Sequence, residues 1–278
     1  MKKVIGWSLA LIAVFALVAT FLTQKTDAKT SSQKTIVVAT GGNPAPFSFT
    51  GSDGKLQGQN IDLVKAVFKK LPQYKLKIVQ TEFSSIFTGL SSGRYQMGAN
   101  NIAKNAEREA NYLFSDPIFA NSYVVIFNPK KDPGKQISSW SDLAGLSTVG
   151  STGVNTSTAI ESYNKENPDA TISFNYSQED LTSQLQAVES GKYDFLLMDK
   201  PMFEYYQKEN DYELTSQDVS GDLAKELLVE PYSYFVFAKD QEELQKDVNE
   251  ALKEVIEDGT SKKINEKYFG ADYSPSYD

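Results

Sequence analysis

Arg108, in the segment NAERE (105–109), carries a planar guanidinium that suits a bidentate carboxylate. Asp199 ends the run YDFLLMD and offers the opposite charge, a carboxylate able to pair with an ammonium. Between them, STGVNTS (151–157) has the form of a Gly-containing turn leading into a helix, where the backbone N–H groups of Gly153, Val154 and Asn155 could hold an anion. A guest with one carboxylate and one ammonium would satisfy all three, which is the charge pattern of a free α-amino acid. Each group also has a plainer reading. Arg108 could belong to a solvated helical face, Asp199 could cap a helix opening at Pro201, and Asn155 could cap the helix after its turn.

The chemistry open to the chain is narrow. It has no His and no Cys, which removes imidazole and thiol nucleophiles, thiolate or imidazole zinc sites and a neutral-pH imidazole switch. No cofactor and no metal site is expected. The net charge of -8, with both signs interspersed, argues against a nucleic-acid surface. A Walker phosphate loop of the form GxxxxGK[ST] is absent, so the chain supplies no nucleotide-derived energy.

The elements that would position these groups follow from periodicity. TIVVAT (35–40) reads as a strand. A helix capped by Asn60 follows, with Ile61, Val64, Phe68 and Leu71 on one stripe. KLKIV (75–79) is a strand, SSIFTGLSSG a short helix stopped by Gly93, and YQMGAN a third strand. After a bridging strand, YVVIF (123–127), the order repeats: LSTVG, a helix over 156–164, TISFN, a helix over 179–190 stopped by Gly191, and YDFLLMD. The phrase SGRYQMGANN (92–101) thus returns as SGKYDFLLMD (190–199) at the matched place, a helix end and third strand.

Two βαβαβ units imply an α/β protein of two lobes, each with a parallel-type sheet flanked by helices. Crossings near Tyr123 and Tyr234 would join them as a hinge. The expected division is 35–121 with 233–278 as lobe 1, and 122–232 as lobe 2. Guests of open parallel sheets bind beyond the carboxyl ends of the strands. That rule selects the loop GGNPAPFSF, the pair Asn100–Asn101, the turn STGVNTS and Asp199.

Residues 1–34 stand apart. Two lysines precede an uncharged, mostly apolar run, Val4–Leu22, which reads as an export signal long enough to remain as a membrane anchor, followed by the polar spacer TQKTDAKTSSQK. Cleavage after Ala28 is one option. Leu17–Thr20 looks like a lipoprotein box with Thr in place of the lipidated Cys, so no thioether to lipid can form there.

From about Lys34 to Tyr268 the chain resembles the extracellular amino-acid-binding proteins of ABC importers, which have the type II periplasmic-binding-protein fold. The resemblance is carried by APFSF (45–49), GQNIDLVKAV (58–67), FTGLSSGRYQMGANNIAKNAEREANYLFSDPI (87–118), SDLAGLSTVGSTG (141–153), SGKYDFLLMD (190–199) and DGTSKKINEKYFG (258–270). It implies that Arg108 takes the guest's carboxylate with the amides of Val154 and Asn155. Asp199 takes the ammonium beside Asn101 and Ala103, and Phe83 covers the side chain. The spelling around EFSSIFTGLSSGRYQMGANNIAKNAERE is most similar to the branch for cystine and other sulfur-containing amino acids.

Implied partners are a free amino acid, an ABC permease and its cytoplasmic ATPase, with the chain itself a monomer. One departure is Pro44, which stands where an aromatic ring often stacks on the guest; Phe47 or Phe49 could fill in, unless they belong to the core. A dehydratase on the same fold and a ligand-sensing module remain as the alternatives.

Overall fold

The computed structural model describes residues 33–227 and 231–277, and Thr35–Asp278 forms one compact unit. The expected signal or anchor, Val4–Leu22, and most of the polar spacer lie outside the described residues. Along the chain run β1 (Lys34–Thr40), the small hairpin β2 (Phe49–Thr50) and β3 (Leu56–Gln57), α1 (Gln59–Lys69), β4 (Tyr74–Gln80), α2 (Phe83–Ser91), β5 (Met97–Ile102) and α3 (Ala106–Asn111). Two short strands, β6 (Leu113–Phe114) and β7 (Phe119–Ala120), lead to β8 (Tyr123–Phe127). A 3-10 turn (Trp140–Leu143) precedes β9 (Ser147–Gly150), α4 (Asn155–Glu166), β10 (Ser173–Tyr176), α5 (Leu181–Glu189), β11 (Phe195–Asp199), α6 (Lys200–Asn210), β12 (Thr215–Asp218) and α7 (Gly221–Leu227). Then come β13 (Tyr232–Phe237), α8 (Glu242–Glu257) and α9 (Thr260–Phe269).

The strands form two main sheets. One has the order β4-β1-β5-β13-β6 with β7 also on β13; the other has the order β10-β9-β11-β8-β12. Pairs β1–β5, β9–β10 and β9–β11 are parallel, as helical crossovers require. Both sheets are nevertheless mixed. β13 runs antiparallel to β5, β6 and β7, and β8 runs antiparallel to β11 and β12. The expectation of parallel-type sheets is corrected to that extent: the strands that adjoin the two crossings enter their sheets from the opposite direction.

Strand alternation sorts the core into layers. In YVVIF, Tyr123, Val125 and Phe127 join one buried cluster with Trp140, Ile160 and Leu223, while Val124 and Ile126 join another with Leu185 and Met198. β13 does the same in the other lobe, placing Phe235 and Phe237 against α8 residues Leu244, Val248 and Leu252, and Tyr234 and Val236 against Ile86 and Leu90. Both faces of each sheet are therefore covered, and apolar residues at consecutive strand positions are all accommodated.

The repeated phrase has one structural meaning. Gly93 and Gly191 both adopt the left-handed conformation, with φ of 71° and 78°, just past the ends of α2 and α5. In both copies the following Tyr N–H reaches back into the helix, Tyr95 to the Gly89 carbonyl at 3.1 Å and Tyr193 to the Ala187 carbonyl at 3.3 Å. The chain is thereby turned from the helix into β5 or β11.

The two crossings lie side by side. Phe119 is in register with Ser233 and Ala120 with Tyr232, and the Asn121 N–H donates to the Pro231 carbonyl at 2.6 Å.

Candidate functional site

The carboxyl ends of β5 and β11 face each other across the two lobes. α3 stands just beyond β5, and the Asn105 side chain caps it by accepting the Arg108 N–H at 2.9 Å. Arg108 is buried, not part of a solvated face. Its Nη1 donates to the Ala103 carbonyl at 2.7 Å, and its Nη2 crosses to the other lobe and donates to the Gly153 carbonyl at 2.7 Å. The guanidinium also lies over the Phe87 ring at 4.8 Å and the Phe83 ring at 5.7 Å. Burial lowers its pKa to about 10, opposed by Glu107, Tyr112 and Tyr123, so it remains a cation at neutral pH. Its two hydrogen-bond partners are neutral carbonyls, and among the described residues no carboxylate pairs with it at ion-pair distance.

Asp199 holds the N-cap position of α6, which has Pro in its first turn, yet its side chain makes no capping hydrogen bond. Its Oδ1 is buried and without a hydrogen-bond partner among the described residues, as is Asn101 Oδ1. Burial pushes the carboxyl up to about 6, held back by the facing Asn101 amide and by its own backbone N–H. A buried acceptor pair of this kind suits a multiply donating cation.

Tyr123 joins the two charges. It sits in register with Asp199 on adjacent strands and is buried. Burial first, then Asp199, drives its phenol well above the ordinary range, while a hydrogen bond from the Asn155 side chain and the charge of Arg108 pull it back down. The sequence alone places this residue in a bridging strand at a crossing, with no role at the site. Its strand register with Asp199 is a long-range fact that no local pattern carries.

The other expected residues divide. Gly153, with φ of 77°, turns the chain at the head of α4, so that its carbonyl rather than its N–H meets Arg108. Val154, not Asn155, is the N-cap, and Asn155 is the first residue of the helix. Phe83 opens α2 and packs edge-on against Phe87 at 5.5 Å. Ala103 braces Arg108 through its carbonyl. Asn100 turns away: its Oδ1 accepts from the Gly41 N–H at 2.8 Å and from the Thr40 hydroxyl at 3.0 Å, fastening the loop after β1.

Phe47 is a correction. It is fully buried, with ring centroids 5.0 Å from Phe119 and 5.1 Å from Phe269, so it packs the core and cannot line a cleft. Phe49 is half-buried against Tyr268 at 6.4 Å. Asn60 is also displaced from its expected role. Gly58, at φ 130°, is the N-cap of α1, and Asn60 is wholly buried inside its first turn. Among the described residues no group of three or more acidic side chains is placed to hold a metal ion.

The family model for bacterial extracellular solute-binding proteins, family 3, matches residues 36–271. The chain is similar to two L-cystine-binding proteins of Bacillus subtilis. TcyJ is 28% identical over 96% of this chain and 95% of its own, and TcyA is 32% identical over 86% and 82%. A solved structure from work on glutathione import via GshT and the cystine ABC importer TcyBC of Streptococcus mutans is 39% identical. It covers 88% of this chain and 98% of its own, with a TM-score of 0.79.

Proposed function

Because the chain belongs to the bacterial extracellular solute-binding proteins of family 3, we propose that it captures the α-amino-acid head of a sulfur-containing solute, L-cystine first, and delivers it to an ABC permease. The observation that carries this reading is the pairing of a buried cation, Arg108, with a buried carboxylate, Asp199, whose Oδ1 has no hydrogen-bond partner among the described residues. They stand on opposite lobes and would engage opposite ends of one zwitterion. The guest's carboxylate meets Arg108 and the amides at the head of α4; its ammonium meets Asp199 and Asn101.

Binding is a hinge closure about the paired crossings at 119–121 and 231–233. Residues 1–34 serve as export signal or anchor and spacer, with lobe 1 formed by 35–121 and 233–278 and lobe 2 by 122–232. The protein works as an exported monomer beside a permease powered by a cytoplasmic ATPase, and does no chemistry on its guest.

A second guest is favoured by a particular pair of observations, Pro44 in place of a stacking ring and the 39% identity to a structure from work on glutathione import. Glutathione presents the same free α-amino-acid head on a longer body. Calorimetric titration of the full chain with L-cystine, glutathione and L-cysteine tests both. Binding of cystine or glutathione is expected, weakened about ten- to a hundredfold in Arg108→Ala and Asp199→Ala, since each charge-assisted hydrogen bond contributes roughly 1.5–3 kcal/mol. Unchanged affinity in both variants overturns the assignment of these two residues.

A further inference from the structure

A chain of buried amides runs from the cleft to the C-terminal layer. The Asn101 N–H donates to Asn60 Oδ1 at 2.6 Å, Asn60 Nδ2 to Gln59 Oε1 at 2.5 Å, and Gln59 Nε2 to Asn265 Oδ1 at 3.0 Å. Asn265 Nδ2 continues to Ser274 Oγ at 3.1 Å, which donates to Ser261 Oγ at 2.9 Å. Gln59, Asn60, Asn265 and Ser261 are wholly shielded from solvent. Every link donates in the same direction, so the dipoles reinforce one another.

The first turn of α1 does not need these side chains. Its N-cap is Gly58, and no side-chain cap bond is made. Burying four polar groups carries a desolvation cost that apolar residues would avoid, and a fully satisfied chain of this kind fixes geometry in return. What it fixes is at the near end. Asn101 holds φ at 51°, in the left-handed region that side chains seldom adopt. In that conformation its side-chain amide faces Asp199.

We propose that Asn60, backed by Gln59 and Asn265, is a positioning residue for guest capture: it clamps the Asn101 backbone so that the Asn101 amide is aimed at Asp199 and at the guest's ammonium. The role toward the ammonium rests on the function proposed above; the aiming of Asn101 at Asp199 does not.

The test uses the full chain carrying Asn60→Ala, which removes the clamp on the Asn101 N–H. The first readout needs no guest: the titration of the Asp199 carboxyl, followed by carbon NMR. In Asn60→Ala it is expected to move to higher pH than in the parent protein, because the amide that steadies the carboxylate has lost its aim. Affinity for L-cystine or glutathione, whichever the parent binds, is expected to fall about tenfold in Asn60→Ala. Ser274→Ala, at the half-buried far end, should shift the titration in the same direction by less, and serves if Asn60→Ala does not fold. An Asp199 titration unchanged in the folded variant overturns the proposal. Failure of the parent to bind either probe counts against the proposed function alone.

Discussion

Asp199→Asn is expected to stabilise the guest-free protein while it weakens capture. Burial raises the Asp199 carboxyl from 3.8 to about 6. Between those values the folded chain keeps a proton that the unfolded chain has released. Stability contributed by the protonated form is therefore present at low pH and is lost as pH rises from about 4 to 6. Above that window the ionised group costs the folded state about 3 kcal/mol. Asn is a neutral near-isostere and escapes this loss, less whatever its own buried amide costs.

For a unit of this size each kcal/mol moves the melting point by about 2–4 °C, so the variant should melt several degrees above the parent at pH 7.5. The two should converge near pH 4. Calorimetric melting of both proteins, without guest, from pH 4 to 8 measures the difference, and other titrating groups cancel in the comparison. A variant that melts below the parent throughout, or an offset that does not widen between pH 4 and 6, refutes the reasoning. Guest affinity supplies the complementary sign. The parent should lose about tenfold in affinity per pH unit below about 6, as the carboxylate is titrated away, and the variant should be weak at every pH.

Tyr123→Phe removes the hydroxyl that accepts from Asn155 between the two charges. It should lower guest affinity by up to about tenfold and leave melting within about 1.5 kcal/mol of the parent, measured by titration and calorimetry. Phe47→Ala should do the reverse. Emptying a fully buried ring between Phe119 and Phe269 costs about 3–5 kcal/mol of stability in a denaturant melt, with affinity unchanged well below the transition.

The order of elements is legible in the sequence because each carries its own period, and the two left-handed glycines at 93 and 191 punctuate equivalent helices. Arg108 and Asp199 are legible for a related reason: Asp199 ends one central strand and Arg108 lies in the short helix just beyond another, and topology brings such strand ends to one cleft. What escapes is side-chain direction at positions where two readings share one local pattern. Phe47 follows a turn in an alternating stretch, which fits a cleft wall and a core wedge equally; only the rings of Phe119 and Phe269, far along the chain, decide for the core.

Asn60 has the residue type of a helix cap, and its neighbour Gly58 takes that place because the asparagine is drawn inward to an N–H forty-one residues away. Phe47 and Asn60 share one feature: a distant partner decides where each points. At Asn60 the local rule is fulfilled by Gly58 instead, leaving the asparagine free for its long-range contact. A polar residue that fits a cap but lies buried past it is therefore a better pointer to the architecture behind a binding site than the cap itself.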